Sequence, residues 1–83
     1  MQVRVLYFGV LKDIVGRSSS EMDLPEGLSV AELVGRHERE RGSSAELWSS
    51  IAVAVNQQYA KPGDVLRDGD EVALLPPVSG GLL

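Results

Sequence analysis

A capped helix lies between two groups of short strand patterns, and this arrangement constrains the fold more than any other feature. Ser29 and Glu32 form an S-x-x-E capping box, in which each side chain satisfies a backbone N–H at the start of a helix. Leu28 and Leu33 supply the hydrophobic staple that accompanies such a box. The apolar stripe of the helix has helical spacing and comprises Val30, Leu33, Val34 and His37. Gly42 is the predicted stop, so the chain has one well-specified helix with a single side to bury.

Strand patterns precede and follow this helix. Residues 3–8 are β-branched and aromatic, which predicts a strand. Its two faces are Val3, Val5 and Tyr7 on one side and Arg4, Leu6 and Phe8 on the other. Residues 18–24 predict the return strand of a hairpin at a sheet edge, and the continuous apolar run 51–55 predicts a buried strand. A short strand at 58–60 and a last strand at 71–75 complete the set.

The order of these elements predicts an α+β fold. A hairpin, a helix that crosses the sheet and a final strand that pairs centrally make a β-grasp, with a mixed sheet of about four to five strands packed on one main helix. One helix covers one face of a sheet, so the second face is left open. Phe8, Tyr59 and Leu75 are candidates to lie there as an exposed apolar patch, which is typical of a protein interface. Strand parity leaves open the alternative that one or two of them are inside.

Composition excludes several classes of function. Eighty-three residues predict a single domain. The absence of cysteine excludes disulfides, thiolate metal sites and a cysteine nucleophile. A net charge of −4 without a basic stripe argues against a nucleic-acid binder. No apolar run approaches the roughly 20 residues of a membrane span and no signal peptide precedes the first strand, so we expect a cytoplasmic protein.

The last residues form a tail whose chemistry can be argued directly. Pro76 and Pro77 fix φ and remove two backbone donors, so a sheet can continue through them only as an edge. We therefore divide the chain into a β-grasp domain, 1–75, and an extended C-terminal tail, 76–83, that carries Gly80-Gly81. A glycine carboxylate is unhindered, and adenylation by ATP in a partner enzyme would activate it toward a sulfur or nitrogen nucleophile. The alternative is a flexible tail without a role.

Other candidate sites have simpler explanations. His37 is the only histidine, and we assign it a structural role on the helix stripe. The acids between Asp64 and Glu71 do not match the spacing of a calcium loop, and Asp-Gly is turn chemistry, so no metal site is predicted. There is no glycine-rich phosphate loop, which means that any ATP must be bound by a partner. We expect the chain to be non-catalytic alone.

Several segments resemble one family over nearly the whole chain. They are V-A-V-N at 53–56, D-G-D-E-V-A-L-L at 68–75 and P-P-V-S-G-G at 76–81, together with V-L-Y-F at 5–8. These segments are similar to the small subunit of molybdopterin synthase, a ubiquitin-like β-grasp sulfur carrier. Gly-Gly alone would not be specific, whereas the ending P-P-V-x-G-G after D-G-D-E-V is.

The resemblance implies a function for the tail. By position, Gly81 would be adenylated and then carry a thiocarboxylate, and Gly80 would allow the close approach. The sulfur would pass to cyclic pyranopterin monophosphate and form the dithiolene of molybdopterin, within a heterotetramer. The implied partners are the large synthase subunit and an adenylating enzyme related to ubiquitin-activating enzymes, which uses the ATP, so that no cofactor is bound by this chain. The positions that resemble the partner-contact surface are Phe8, Tyr59, Leu75, Pro76, Pro77 and Val78.

One departure from the family pattern is the continuation beyond Gly81 with Leu82-Leu83. Gly81 then has a peptide bond in place of a free carboxylate, so we expect the full-length chain to be inert as a sulfur acceptor. The two leucines are either trimmed by a protease or a cloning remnant, or the protein is inactive in this form. Two alternative functions stay open at this point: a carrier for thiamin or tRNA thiolation, and a non-catalytic ubiquitin-like binding or conjugation module.

Overall fold

The structure, a computed structural model, describes residues 1–41 and 45–77. Within these residues the elements are β1 (Gln2–Tyr7), α1 (Val10–Val15), β2 (Ser19–Asp23), α2 (Val30–Arg41), α3 (Ala45–Ser50), β3 (Ala52–Val55), β4 (Gln58–Tyr59) and β5 (Glu71–Leu75). The strands form one sheet in the order β2-β1-β5-β3-β4. β1 and β5 are parallel and the other pairs are antiparallel. The predicted mixed sheet with a central last strand is therefore confirmed, and with it the β-grasp.

The capping box of α2 forms as predicted. The Ser29 backbone N–H donates to Glu32 Oε1 over 3.0 Å, and the Glu32 N–H donates to Ser29 Oγ over 3.2 Å. The neighbouring Leu28 and Leu33 are both buried. These short-range bonds satisfy two of the N–H groups that a helix start leaves without intrahelical partners. The predicted stop at Gly42 lies outside the described residues.

The core lies between α2 and one face of the sheet. From the sheet, Val3, Val5 and Tyr7 of β1 point into it, as the alternation of the strand predicts. Trp48 of α3 is 1% exposed and closes the core from the far end of α2. In the described part of the chain, none of the helices is long and apolar enough to cross a membrane.

His37 is a core residue, which confirms its structural role. Its side chain is buried, with Nδ1 3.0 Å from the Leu33 carbonyl oxygen and Nε2 2.7 Å from the Tyr7 hydroxyl. A carbonyl oxygen can only accept, so Nδ1 carries the proton and, in the neutral imidazole, Nε2 accepts from Tyr7. The Tyr7 and Trp48 rings lie beside the imidazole, with centroids 5.5 and 5.8 Å away. One polar pair thus joins β1 to α2 inside an apolar core.

The buried strand predicted at 51–55 was wrong in part. In β3, Val53 is buried, Ala52 is exposed, and Ala54 and Val55 are half-buried, because the helices among the described residues cover only one face of this sheet. Alanine is apolar but small enough to lie on an exposed face, so the run 51–55 resembled a strand buried on both faces. β3 and β4 are joined by a tight turn in which Asn56 and Gln57 have φ of 51° and 71°. Two successive positive φ values are typical of a type I′ hairpin turn.

Candidate functional site: the open sheet face and the root of the tail

The uncovered face of the sheet has a shallow apolar centre. Strand register places Leu6, Ala73, Ala54 and Tyr59 in one row across β1, β5, β3 and β4. Cross-strand partners project to the same face, so two alanines form the floor between a larger side chain at each end. Tyr59 is 81% exposed at the β4 edge of this row. A flat floor with raised ends suits an extended contact with another protein.

Phe8 and Leu75 extend this face toward the end of β5. The Phe8 N–H donates to the Leu74 carbonyl over 3.3 Å, which continues the ladder that the Arg4 N–H begins at the Asp70 carbonyl. Phe8 therefore projects to the same side as Arg4, and it is 44% exposed. Leu75 is half-buried on the same face.

The three predicted face residues thus all lie on the open side, and the alternative that one or two are inside the core is wrong. Leu75 pairs with Ala52 and Tyr59 pairs with Ala54, so both lie beside residues of β3. Their role as partner-contact residues stays a prediction.

The end of the face near the start of β1 and β5 is charged. Arg4 pairs in register with Glu21 of β2 and Glu71 of β5, and its Nε is 2.9 Å from Glu21 Oε2. This pair is solvent-exposed, so its contribution to the free energy of folding is small. The apolar part of the face therefore extends from its centre to the end where the chain leaves β5, away from these charges.

The tail begins beside the turn that connects β1 to α1. Pro76 is half-buried and Pro77 is exposed, and both lie after the last strand, as predicted. Gly9 has φ of 55° and ψ of −134°, and a Cβ placed on it would lie 2.9 Å from Pro76 Cγ. The proline ring therefore rests where any other residue at position 9 would put its side chain.

The strand predicted at 3–8 ends immediately before Gly9, and the sequence analysis assigned no further role to this glycine. The available signal was a glycine between a strand pattern and a short helical pattern, which is typical of a turn with positive φ. Nothing local indicates that the proline after β5 packs on it, because that contact depends on the parallel pairing of β1 with β5. Val78, Gly80 and Gly81 lie outside the described residues, and their roles stay predictions.

Asp64 and Asp70 each bond within their own turn, and Asp68 ties its turn to the start of β1. Asp68 Oδ1 accepts the Gln2 N–H over 2.7 Å, and Asp64 Oδ2 accepts the Lys61 N–H over 2.9 Å. Asp70 Oδ2 accepts a backbone N–H within its own turn over 2.8 Å. This is the turn chemistry expected of aspartate. Across residues 1–41 and 45–77, no group of three His, Cys, Asp or Glu side chains is placed to hold a metal ion.

Comparisons with known proteins agree with this fold. The family model described as the ThiS family matches residues 5–81. The human molybdopterin synthase sulfur carrier subunit is 37% identical over 83 residues, covering 96% of this chain and 94% of its own. Among solved structures, a Pyrococcus furiosus protein assigned as molybdopterin converting factor, subunit 1, has a TM-score of 0.83 at 29% identity, covering 94% of this chain and 99% of its own. A chain in the Helicobacter pylori complex of subunits 1 and 2 of molybdopterin-converting factor has a TM-score of 0.66 at 29% identity, covering 98% of this chain and 100% of its own. The chain belongs to the ThiS family.

Proposed function

We propose that this chain is the sulfur-carrier small subunit of a molybdopterin synthase. The observation that carries the proposal is structural: the apolar part of the open face and the root of the tail meet at one end of the sheet. Phe8 and Leu75 lie on that face, and Pro76 begins the tail beside them. A partner bound on the face would therefore receive the tail. The names of the human relative and of the two neighbouring structures support the same assignment.

The proposed chemistry takes place at the main-chain carboxyl of Gly81, after Leu82 and Leu83 have been removed. The carboxylate attacks the α-phosphate of ATP and releases pyrophosphate, which leaves an acyl adenylate. A sulfur nucleophile supplied by the activating system then displaces AMP and leaves a thiocarboxylate. The thiocarboxylate sulfur bonds to a carbon of cyclic pyranopterin monophosphate and displaces an oxygen from it, which gives a thioester with Gly81. Water then cleaves this thioester, so that the sulfur stays on the pterin and the carboxylate is restored. The chain has no cysteine, so a side-chain thiol of its own cannot take the place of the thiocarboxylate.

The body of the protein would supply recognition. The apolar face offers Phe8, Leu75 and Tyr59 to the large synthase subunit and to the adenylating enzyme, which binds the ATP. The Helicobacter pylori complex, in which a structurally similar chain is one of two different subunits, supports a large-subunit partner. A heterotetramer of two small and two large subunits is the proposed assembly. Pro76 and Pro77 lack the backbone N–H groups that further strand pairing would need, which suits the start of a tail offered to the partner.

Intact mass spectrometry tests the carrier chemistry. The full-length chain, a chain ending at Gly81 and the same truncated chain with Gly81→Ala are each incubated with ATP, a sulfide donor and the adenylating enzyme. We expect the chain ending at Gly81 to gain the mass of an oxygen-to-sulfur exchange and the full-length chain to gain nothing. The Gly81→Ala chain should then fail to form molybdopterin with the large subunit. A truncated chain that never acquires sulfur would refute the proposal, whereas efficient sulfur uptake by the full-length chain would refute the trimming step alone.

The contact surface is tested by binding. Phe8→Ser removes an exposed aromatic ring from the open face, and Val65→Ser removes an exposed apolar side chain of similar accessibility from elsewhere. The backbone of Val65 bridges to that of Ser29 at the start of α2. We expect Phe8→Ser to weaken binding to the large subunit about tenfold or more, a loss of about 1.4 kcal/mol. Val65→Ser should bind like the unmodified chain, and equal affinities for the two variants would contradict a contact through this face.

A further inference from the structure

The contact between Gly9 and Pro76 joins the first loop of the domain to the first residue of the tail. Gly9 combines φ of 55° with ψ of −134°, a conformation that side-chain-bearing residues rarely adopt. A Cβ at this position would meet Pro76 Cγ at 2.9 Å and Pro76 Cδ at 3.7 Å. Both the backbone conformation and the space above it therefore require glycine. By contrast, a Cβ on Gly16 or Gly27, which also have positive φ, would meet nothing within 4 Å.

The loop that holds this glycine is anchored on both sides. Before it, the Phe8 N–H donates to the Leu74 carbonyl, which ties the end of β1 to the end of β5. After it, the Gly9 carbonyl accepts the Lys12 N–H over 3.1 Å in the first turn of α1, and Leu11 of that helix is fully buried. The loop at Gly9, on which the Pro76 ring lies, is thus held by the sheet and by a buried residue of α1. The folded domain therefore defines the position of the ring.

We infer that Gly9 is a positioning residue for the tail: it admits the Pro76 ring against the β1–α1 turn and so sets the direction in which the tail leaves the sheet. This inference rests on the proposed sulfur-carrier function. Proline has a fixed φ, so the placement of its ring restricts the path of the residue that follows. Pro76 is the first residue of the path from the sheet to Gly81, so moving its ring changes where that path begins. Reacting groups must meet within a few tenths of an ångström, and a misplacement of about 1 Å can reduce a rate by about a hundredfold.

The contact itself is measured by NMR on the full-length chain. We expect nuclear Overhauser effects between the Gly9 Hα protons and the Pro76 ring protons in the unmodified chain. Gly9→Val should abolish them, because a branched Cβ would occupy the place of the ring. Gly16→Val is the matched control, because it places the same side chain at another position with positive φ, where an added Cβ would have no neighbour within 4 Å. It should lose stability but keep the Gly9–Pro76 signals. Absence of these signals in the unmodified chain would overturn the inference whatever its activity.

The functional consequence is measured in chains that end at Gly81. Sulfur transfer is followed in single turnover at saturating large subunit, after thiocarboxylation, so that weaker binding does not enter the rate. We expect Gly9→Val to lower this rate tenfold or more while leaving the Kd for the large subunit within about threefold. Gly16→Val should transfer sulfur at the unmodified rate. A Gly9→Val chain that transfers as fast as the Gly16→Val chain would overturn the inference.

A second variant covers the case in which Gly9→Val fails to fold. Pro76→Ala removes the ring from the contact and imposes no strain on the loop below it. We expect a slower transfer step from it as well, measured at saturating large subunit so that a change in Kd does not enter the rate. An unchanged transfer rate would count against Gly9 as a positioning residue. An unmodified chain ending at Gly81 that accepts no sulfur would instead refute the proposed function, and the inference with it.

Discussion

Replacing Tyr7 by phenylalanine removes one hydroxyl from the core and leaves the ring in place. Tyr7 is 3% exposed, and its hydroxyl oxygen lies 2.7 Å from His37 Nε2, itself in a buried side chain. Phenylalanine can fill the same space, so the substitution takes away the hydrogen bond without opening a large cavity. What remains is an imidazole that has lost this partner in an apolar surrounding.

The magnitude follows from that geometry. Removing one partner of a buried hydrogen bond costs about 1–3 kcal/mol, because the remaining polar atom keeps its desolvation penalty. For a domain of this size, 1 kcal/mol lowers Tm by about 4–8 °C. We therefore expect Tyr7→Phe to reduce the free energy of unfolding by about 2 kcal/mol and Tm by roughly 10 °C. This is a large share of the 5–15 kcal/mol that typically separates folded from unfolded states.

Urea and thermal unfolding of paired variants measure the effect. Tyr59→Phe is the matched control, since it deletes the same hydroxyl from a side chain that is 81% exposed. Its free energy of unfolding should stay within about 0.5 kcal/mol of the unmodified chain. The urea m-value should be the same for all three proteins, so that the comparison is one of stability. If Tyr7→Phe proved as stable as Tyr59→Phe, the hydrogen bond to His37 would not contribute to the core as argued here.

Three further predictions concern local structure. Gln57→Gly should raise the free energy of unfolding by about 0.5–1 kcal/mol in urea titrations, because glycine adopts the φ of 71° at this turn position without strain; a destabilised variant would contradict the type I′ turn. Ser29→Ala should lower it by about 1 kcal/mol, through loss of the hydroxyl that accepts the Glu32 N–H, and no change would mean that the box contributes nothing. The Ser29 backbone N–H, followed by its hydroxyl and by the charge of Arg36, lowers the pKa of Glu32 below 4.5. A carboxylate with a lowered folded-state pKa stabilises the protein above its unfolded-state pKa and loses that effect as the pH falls through the folded-state value. Stability curves below pH 4.5 should therefore fall less steeply for Glu32→Gln than for the unmodified chain, and parallel curves would refute the assignment.

Local patterns predicted the strands and α2 because the causes of these elements are local. The capping box of α2 joins Ser29 to Glu32, three residues away, and its bonds form as the pattern indicates. The faces of β1 follow from a period of two, so that Tyr7 is inside and Phe8 outside. The same rule placed Leu75 on the open face. Patterns of this kind concern neighbours along one helix or strand, and backbone geometry alone relates those neighbours.

Contacts between distant segments could not be predicted in this way. Tyr7 meets His37 because of where α2 crosses the sheet. Pro76 packs on Gly9 because β5 lies beside β1. The exposure of Ala52 likewise depends on which face of the sheet the described helices cover, since alanine is compatible with either environment. Hydrophobic burial is non-directional: it determines that an apolar stripe must be covered, whereas the packed sheet and helices determine what covers it. The chain's own order of residues thus determined its elements, their faces and the family resemblance of its ending, and only the tertiary structure decided which residues meet at the root of the tail.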